Sequence, residues 1–171
     1  MNVQDAIRTK RAVRQFAERP LPDAVVRAIL NAGRRAQSAK NTQPWRFIAI
    51  RERETLQKLS TLGTYAGHIA GAALCVAILT PDPTSRFSVM FDAGQAASYM
   101  QLAAWGLGVG SVPATIYEPE QARELLGFPA EWHLQVALSF GYPLEEAALT
   151  RPNKPGGRER LEDVVKWERW R

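Results

Sequence analysis

Three short stretches carry most of the residues able to hold a ligand. Lys10, Arg11 and Arg14 set three cations close together near the N-terminus, in KRAVRQF (10–16). In SAKNTQPWRF (38–47), Asn41, Thr42 and Gln43 crowd two amides and a hydroxyl just before Pro44 and Trp45. A basic tail, RPNKPGGRER, occupies 151–160. Guanidinium and ammonium groups bind phosphates, and amides hydrogen-bond the polar edges of planar rings. None of these groups moves electrons by itself. An enzyme built on them needs a cofactor for the difficult step.

Other chemistries find little support. The two histidines, His68 and His133, are far apart in sequence and lack ligand-like spacing to each other or to Cys75, so no metal site is expected. No Ser–His–acid set can be assembled. GLGVGS (106–111) imitates a dinucleotide fingerprint, but it follows a helical pattern and has Ser111 where the third glycine belongs; a helix stop and turn is the better reading. No Walker-type phosphate loop is present. Cys75 lies inside an apolar run and reads as a small buried hydrophobe.

Composition sets the frame. The 171 residues, 46% hydrophobic and 23% charged, suit one globular domain spanning 1–171. The net charge of +5 and a pI near 9.7 invite a nucleic-acid reading. The basic residues, however, gather at the two ends and at Arg34–Arg35, with no continuous stripe interleaved with aromatics, so no nucleic-acid partner is expected. No apolar run approaches the roughly 20 residues that span a bilayer, so no membrane partner is expected either. The N-terminus is charged where a secretory leader needs an apolar core. With a single cysteine incapable of an intramolecular disulfide, a cytoplasmic location is expected.

The elements that must position the three stretches follow from periodicity. Residues 2–8 suit a short helix with Asn2 as a possible cap, and a longer helix follows the prolines at 20 and 22. Strands are expected over 46–51, 72–81 and 134–143, an extended segment over 109–116, and helices over 54–62 and 118–128. The helix in FSVMFDAGQAASYMQLAAWGLG (87–108) is apolar almost all round. Such a helix must be covered on every face, which points to a central position or a second subunit.

In order, K-R-A-V-R-x-F, S-A-x-N-x-Q-P-W-x-F, D-A-G-Q-A-A-x-x-M-Q-L-A-A-x-x-L-G-x-G-S, L-S-x-G-Y-P and R-x-R-L-E-D-V-V-x-W resemble the nitroreductase family of flavin enzymes over nearly the whole chain. The resemblance implies an α+β fold with a mixed, mainly antiparallel central sheet flanked by helices. It also implies a homodimer with FMN at the subunit interface. Residue by residue, Lys10 and Arg11 match groups that hold the FMN phosphate, and Arg14 matches a cation near N1 and O2 of the ring. Ala12 stands where the family usually has a serine, so only its backbone N–H remains. Ser38, Asn41 and Gln43 match the segment lining the flavin, with Trp45 serving equally well as a core aromatic. Pro113, Ala114 and Thr115 match a stretch whose backbone faces N5, and Arg158 matches a tail arginine that returns to the phosphate, with Lys154 a weaker candidate. The loop at 63–68 departs from the pattern: it has Thr64 and Gly67 where some members place Asn and Lys. The chain is also short for the family, which implies an open, little-decorated site.

The chemistry so implied is ping-pong. NAD(P)H passes hydride to the flavin and leaves, and a nitroaromatic, quinone or similar small acceptor follows. No side chain need act as catalytic acid or base, because the flavin carries the chemistry and positive charge near N1 and O2 stabilises its reduced, anionic form. A non-catalytic flavin-binding or storage protein of the same fold is the alternative.

Overall fold

The computed structural model describes residues 1–150 and 157–170. Among the described residues six α-helices accompany a four-stranded sheet in the order α1 (Val3–Thr9), α2 (Asp23–Arg34), β1 (Arg46–Ile50), α3 (Arg53–Ser60), β2 (Leu74–Thr80), α4 (Ser88–Gly106), β3 (Gly110–Thr115), α5 (Pro119–Leu126), β4 (His133–Gly141) and α6 (Leu161–Val164). The sheet runs β1-β2-β4-β3, with every neighbouring pair antiparallel. One isolated parallel bridge, Ala12 to Ser111, extends it at the β3 edge. The expected α+β class, with a mainly antiparallel sheet flanked by helices, is observed.

β2 explains why its sequence lacks alternation. All seven of its residues are buried, because both faces of the sheet are covered. Val76 and Ile78 share a core with Ile29 of α2, Met100 of α4 and Trp45 before β1. Cys75, Ala77 and Leu79 meet α3 and α5 through Leu56, Leu59 and Ala122. A strand between two layers reads as a continuous apolar run rather than a period of two.

Local signals end the elements where expected. Asn2 accepts the Asp5 N–H at 2.9 Å and caps α1, satisfying a donor that has no partner within the helix. α5 stops at Gly127 in the left-handed conformation (φ 67°), whose N–H returns to the Arg123 carbonyl. The GLGVGS stretch is the end of α4, a turn and the start of β3.

α4 is the expected apolar helix, and one side of it is covered within the chain. Val89, Asp92, Ala93, Ala96, Met100 and Ala104 are buried. Phe87, Phe91 and Tyr99, on another side, are 93%, 69% and 40% exposed. The helix is apolar all round in composition, yet within one chain only one face is covered.

Candidate functional site

The N-terminal cations lie on an extended strap that follows α1. Its start is pinned to the end of α4, because the Trp105 indole N–H donates to the Thr9 hydroxyl at 2.9 Å, which in turn donates to the Asp5 carbonyl. Lys10 is half-buried and its ammonium donates to the Gln101 side-chain carbonyl; burial lowers its pKa from the ordinary lysine value. Arg11 donates from Nε to the Thr9 carbonyl at 3.4 Å. Beyond it the Val13 N–H donates to the Ser111 carbonyl at 3.1 Å. Along the strap Val13 and Phe16 are buried, while Ala12, Arg14 and Gln15 are exposed.

Two glycines allow this approach. A Cβ on Gly110 would lie 2.7 Å from the Val13 Cβ, and one on Gly141 would lie 2.8 Å from the Phe16 ring. Both distances are below van der Waals contact, so a side chain at either position pushes the strap away. β3 is an edge strand, and alternate backbone groups of an edge strand face away from the sheet. Along it Pro113 and Thr115 are exposed while Ala114 is buried. The strap thus brings Lys10, Arg11, Ala12 and Arg14 to the same sheet edge as Pro113–Thr115.

Ser38–Gln43 is built differently. A 3₁₀ turn, Ala39–Asn41, precedes β1, and Lys40, Asn41 and Gln43 all have positive φ (52°, 54° and 48°). For non-glycine residues this conformation costs on the order of 1 kcal/mol or more each, so the surroundings must hold it. The Asn41 N–H donates to the Ser38 carbonyl at 2.9 Å, the Gln43 N–H to the Ser38 hydroxyl at 2.9 Å, and the Gln43 amide to Asn41 Oδ1 at 3.2 Å. Arg86 reaches the Thr42 hydroxyl at 2.9 Å. The anchor is Asp92 of α4, 2% exposed, which accepts the Ala39 N–H at 3.1 Å. Pro44 and Trp45 then turn the chain inward, with Trp45 buried and its ring nearly parallel to Phe47 at 6.5 Å. Trp45 is a core aromatic, whereas Lys40, Asn41, Thr42 and Gln43 of the turn are exposed.

One chain does not join the two groups. The strap touches α4 at Gln101 and the turn touches it at Asp92, nine residues earlier and therefore about 13 Å away along the axis. The strap borders β3 and the turn leads into β1, the opposite edges of the sheet, separated by three strand spacings or about 14 Å. Arg158 is exposed and donates to the Gly157 carbonyl at 3.0 Å, and Lys154 lies outside the described residues.

Three residues of this region were not singled out from the sequence. Asp92 and Gln101 fall inside the central-helix pattern, and their signal was two polar groups in an apolar helix. His68 has neither metal-ligand spacing nor a Ser–His–acid set to place it. Its ring nitrogen Nδ1 lies 2.9 Å from the Ser139 hydroxyl, in a loop whose sequence gives no hint of that contact. Among the described residues, no three His, Cys, Asp or Glu side chains cluster as metal ligands do, and no helix is long and apolar enough to cross a membrane.

The Nitroreductase family profile matches residues 7–63 and 61–142. A relative from Archaeoglobus fulgidus, provisionally named NADH dehydrogenase/NAD(P)H nitroreductase, is 34% identical over 147 residues, covering 82% of this chain and 84% of its own. A Thermus thermophilus protein named NADH dehydrogenase is 26% identical and covers 98% of this chain and 96% of its own. The structure of an FMN-dependent nitroreductase from Clostridium difficile superposes with a TM-score of 0.85 at 25% identity, over 98% of this chain and 99% of that one. The compact size is therefore shared with at least one relative.

Proposed function

The chain belongs to the nitroreductase family of oxidoreductases, and we propose that it binds FMN, takes hydride from NAD(P)H and reduces nitroaromatics, quinones or similar small acceptors. The observation that carries this reading is the cationic strap seated on Gly110 and Gly141 along the β3 edge. The donor set fits the cofactor. Lys10 and Arg11 suit its phosphate, and the exposed charge of Arg14 suits a ring edge that becomes electron-rich. Asn41 and Gln43 suit the polar rim of a planar ring and its sugar-like chain. Bound there, FMN supplies a reversible two-electron step that none of these side chains can perform.

The chain's own residues bind and orient. Lys10 is held by Gln101 and partly desolvated, which strengthens its interaction with an anion. Arg14 adds fixed positive charge, which favours a state carrying one more negative charge over the state before it. The backbone of Pro113–Thr115 forms the strip against which the ring would lie, and Arg158 is a further candidate for the phosphate. Donor and acceptor would use the same open face in turn, the arrangement of ping-pong kinetics.

A homodimer belongs to the same proposal. The strap and the Ser38–Gln43 turn are too far apart in one chain to meet around one ring, and a second copy supplies the missing half. The exposed Phe87, just before α4, and Phe91 and Tyr99 on it offer the apolar surface for that contact. The test is the visible spectrum of the purified protein before and after NADPH. A yellow protein whose flavin bleaches supports the enzyme, and a yellow one that does not bleach supports storage. A protein that stays colourless with added FMN overturns both.

A further inference from the structure

His68 occupies a position that binding and orientation of FMN do not explain. The 3₁₀ turn Gly67–Ile69 leaves its imidazole half-buried, with Nδ1 2.9 Å from Oγ of Ser139, a fully buried residue of β4. Ser139 pairs across the sheet with Val112, the residue before Pro113, and the Pro113 carbonyl and the Arg14 charge both act on the ring. His68 therefore lies beside the β3 segment next to Pro113 and feels the charge of Arg14, two of the groups assigned above to the flavin ring. Burial first, and the Arg14 charge second, hold the imidazole below its ordinary pKa, while the Pro113 carbonyl works in the opposite direction.

The other surroundings leave the ring responsive to new charge. On β2, Cys75 pairs with Ser139 in the sheet register, and burial pushes its thiol up to about 12, so it stays neutral. α3 packs against the turn, but its charges are engaged elsewhere: Arg53 donates to the Ala70 carbonyl at 2.5 Å, and Lys58 pairs with Glu54 at 2.6 Å. The Ser139 hydroxyl can donate to a neutral imidazole and accept from a protonated one. The Pro113 carbonyl can accept only from an N–H. The site can thus hold either protonation state without repacking.

We propose that His68 is the proton-accepting group coupled to the flavin site, neutral when the site carries no added charge and protonated when the bound cofactor becomes anionic. This rests on the FMN reading above. Hydride transfer oxidises the nicotinamide and adds two electrons and one proton to the cofactor, leaving it one unit more negative. A second proton, taken from hydronium in the solvent, then forms an N–H bond on His68 as the donor's O–H bond breaks and water is left, and the charge is balanced. An anion beside Arg14 offsets the repulsion that adds to burial in disfavouring the protonated ring, so uptake follows reduction.

The test uses the intact protein and its two histidines. NMR titration of the imidazole resonances is run without FMN, with FMN, and with FMN reduced by dithionite under argon, His133 serving as internal control. The His68 pKa is expected to rise on reduction by about one unit or more, the shift typical of a new opposite charge nearby. A potentiometric titration of His68→Gln should lose the extra proton, halving the slope of potential against pH in the window between the two His68 pKa values. FMN bound and reduced with an unmoved His68 pKa overturns the proposal and leaves the FMN reading standing. Failure to bind FMN at all overturns that reading and this one with it.

Discussion

The strap and the turn before β1 reach similar ends by opposite means. Residues 10–14 are ordinary extended chain held by close packing: Val13 and Phe16 are buried, and Gly110 and Gly141 have no side chain to keep them off. The cations ride on this support and need no special conformation. Residues 38–43 hold three non-glycine residues at positive φ and depend on hydrogen bonds, chiefly from the turn to itself and to the buried carboxylate of Asp92. Cations bind through long-range charge and tolerate a simple support. Neutral amides bind only through direction, so the backbone beneath them must be locked.

The largest effect is expected where the two regions must be brought together. A Cβ on Gly94 meets nothing within 4 Å in its own chain, so Gly94→Trp should fold and still disturb a partner helix packed on α4. Sedimentation should show the wild type as a dimer, with an interface in the permanent class of about 2,000 Å² or more in total, and the variant as a monomer unable to retain FMN. A wild-type monomer at micromolar concentration would remove the shared-site argument altogether.

Next come the two supports themselves. Gly110→Val places branched carbons where Val13 already sits, and overpacking of this kind costs about 1–3 kcal/mol. Urea unfolding should register the loss, and FMN affinity should fall because the cations are displaced. Asp92→Ala deletes a charged acceptor from a strained turn and should cost about 1.5–3 kcal/mol. Its backbone changes should be confined to 38–43 by amide chemical shifts. If each variant perturbs the other region equally, the two supports are not independent.

Smaller effects separate binding from tuning within the strap. Arg11→Ala should weaken FMN on the order of tenfold to a hundredfold, the value of one charge-assisted contact; an unchanged dissociation constant by fluorescence titration takes Arg11 out of the site. Arg14→Gln keeps hydrogen-bonding ability and removes the charge, so oxidised FMN should bind nearly as before. The reduced state should lose about 1–3 kcal/mol, which lowers the two-electron potential by roughly 20–65 mV. A shift under about 10 mV on the same scale would make Arg14 an ordinary surface charge.

Much of the molecule was legible without coordinates because its signals are local. Periodicity located every strand, caps and glycines ended the helices, and the order of motifs along the chain identified the family. The cations of the strap and the amides before Pro44 declared their chemistry by residue type alone. What packs against what is not a local property. Nothing in KRAVRQF states that Val13 would meet Gly110, and nothing in the loop at 63–68 states that His68 would reach Ser139, 71 positions away. An aspartate in an apolar helix signals only that it has a partner; the fold chose Ala39. The sequence by itself determined the elements and the groups available for chemistry, since backbone preferences and charge are carried by individual residues. Only the tertiary structure decided that the strap and turn lie on opposite edges of the sheet, because that depends on strand order, which is set by burial of both faces of β2 between helices drawn from distant parts of the chain.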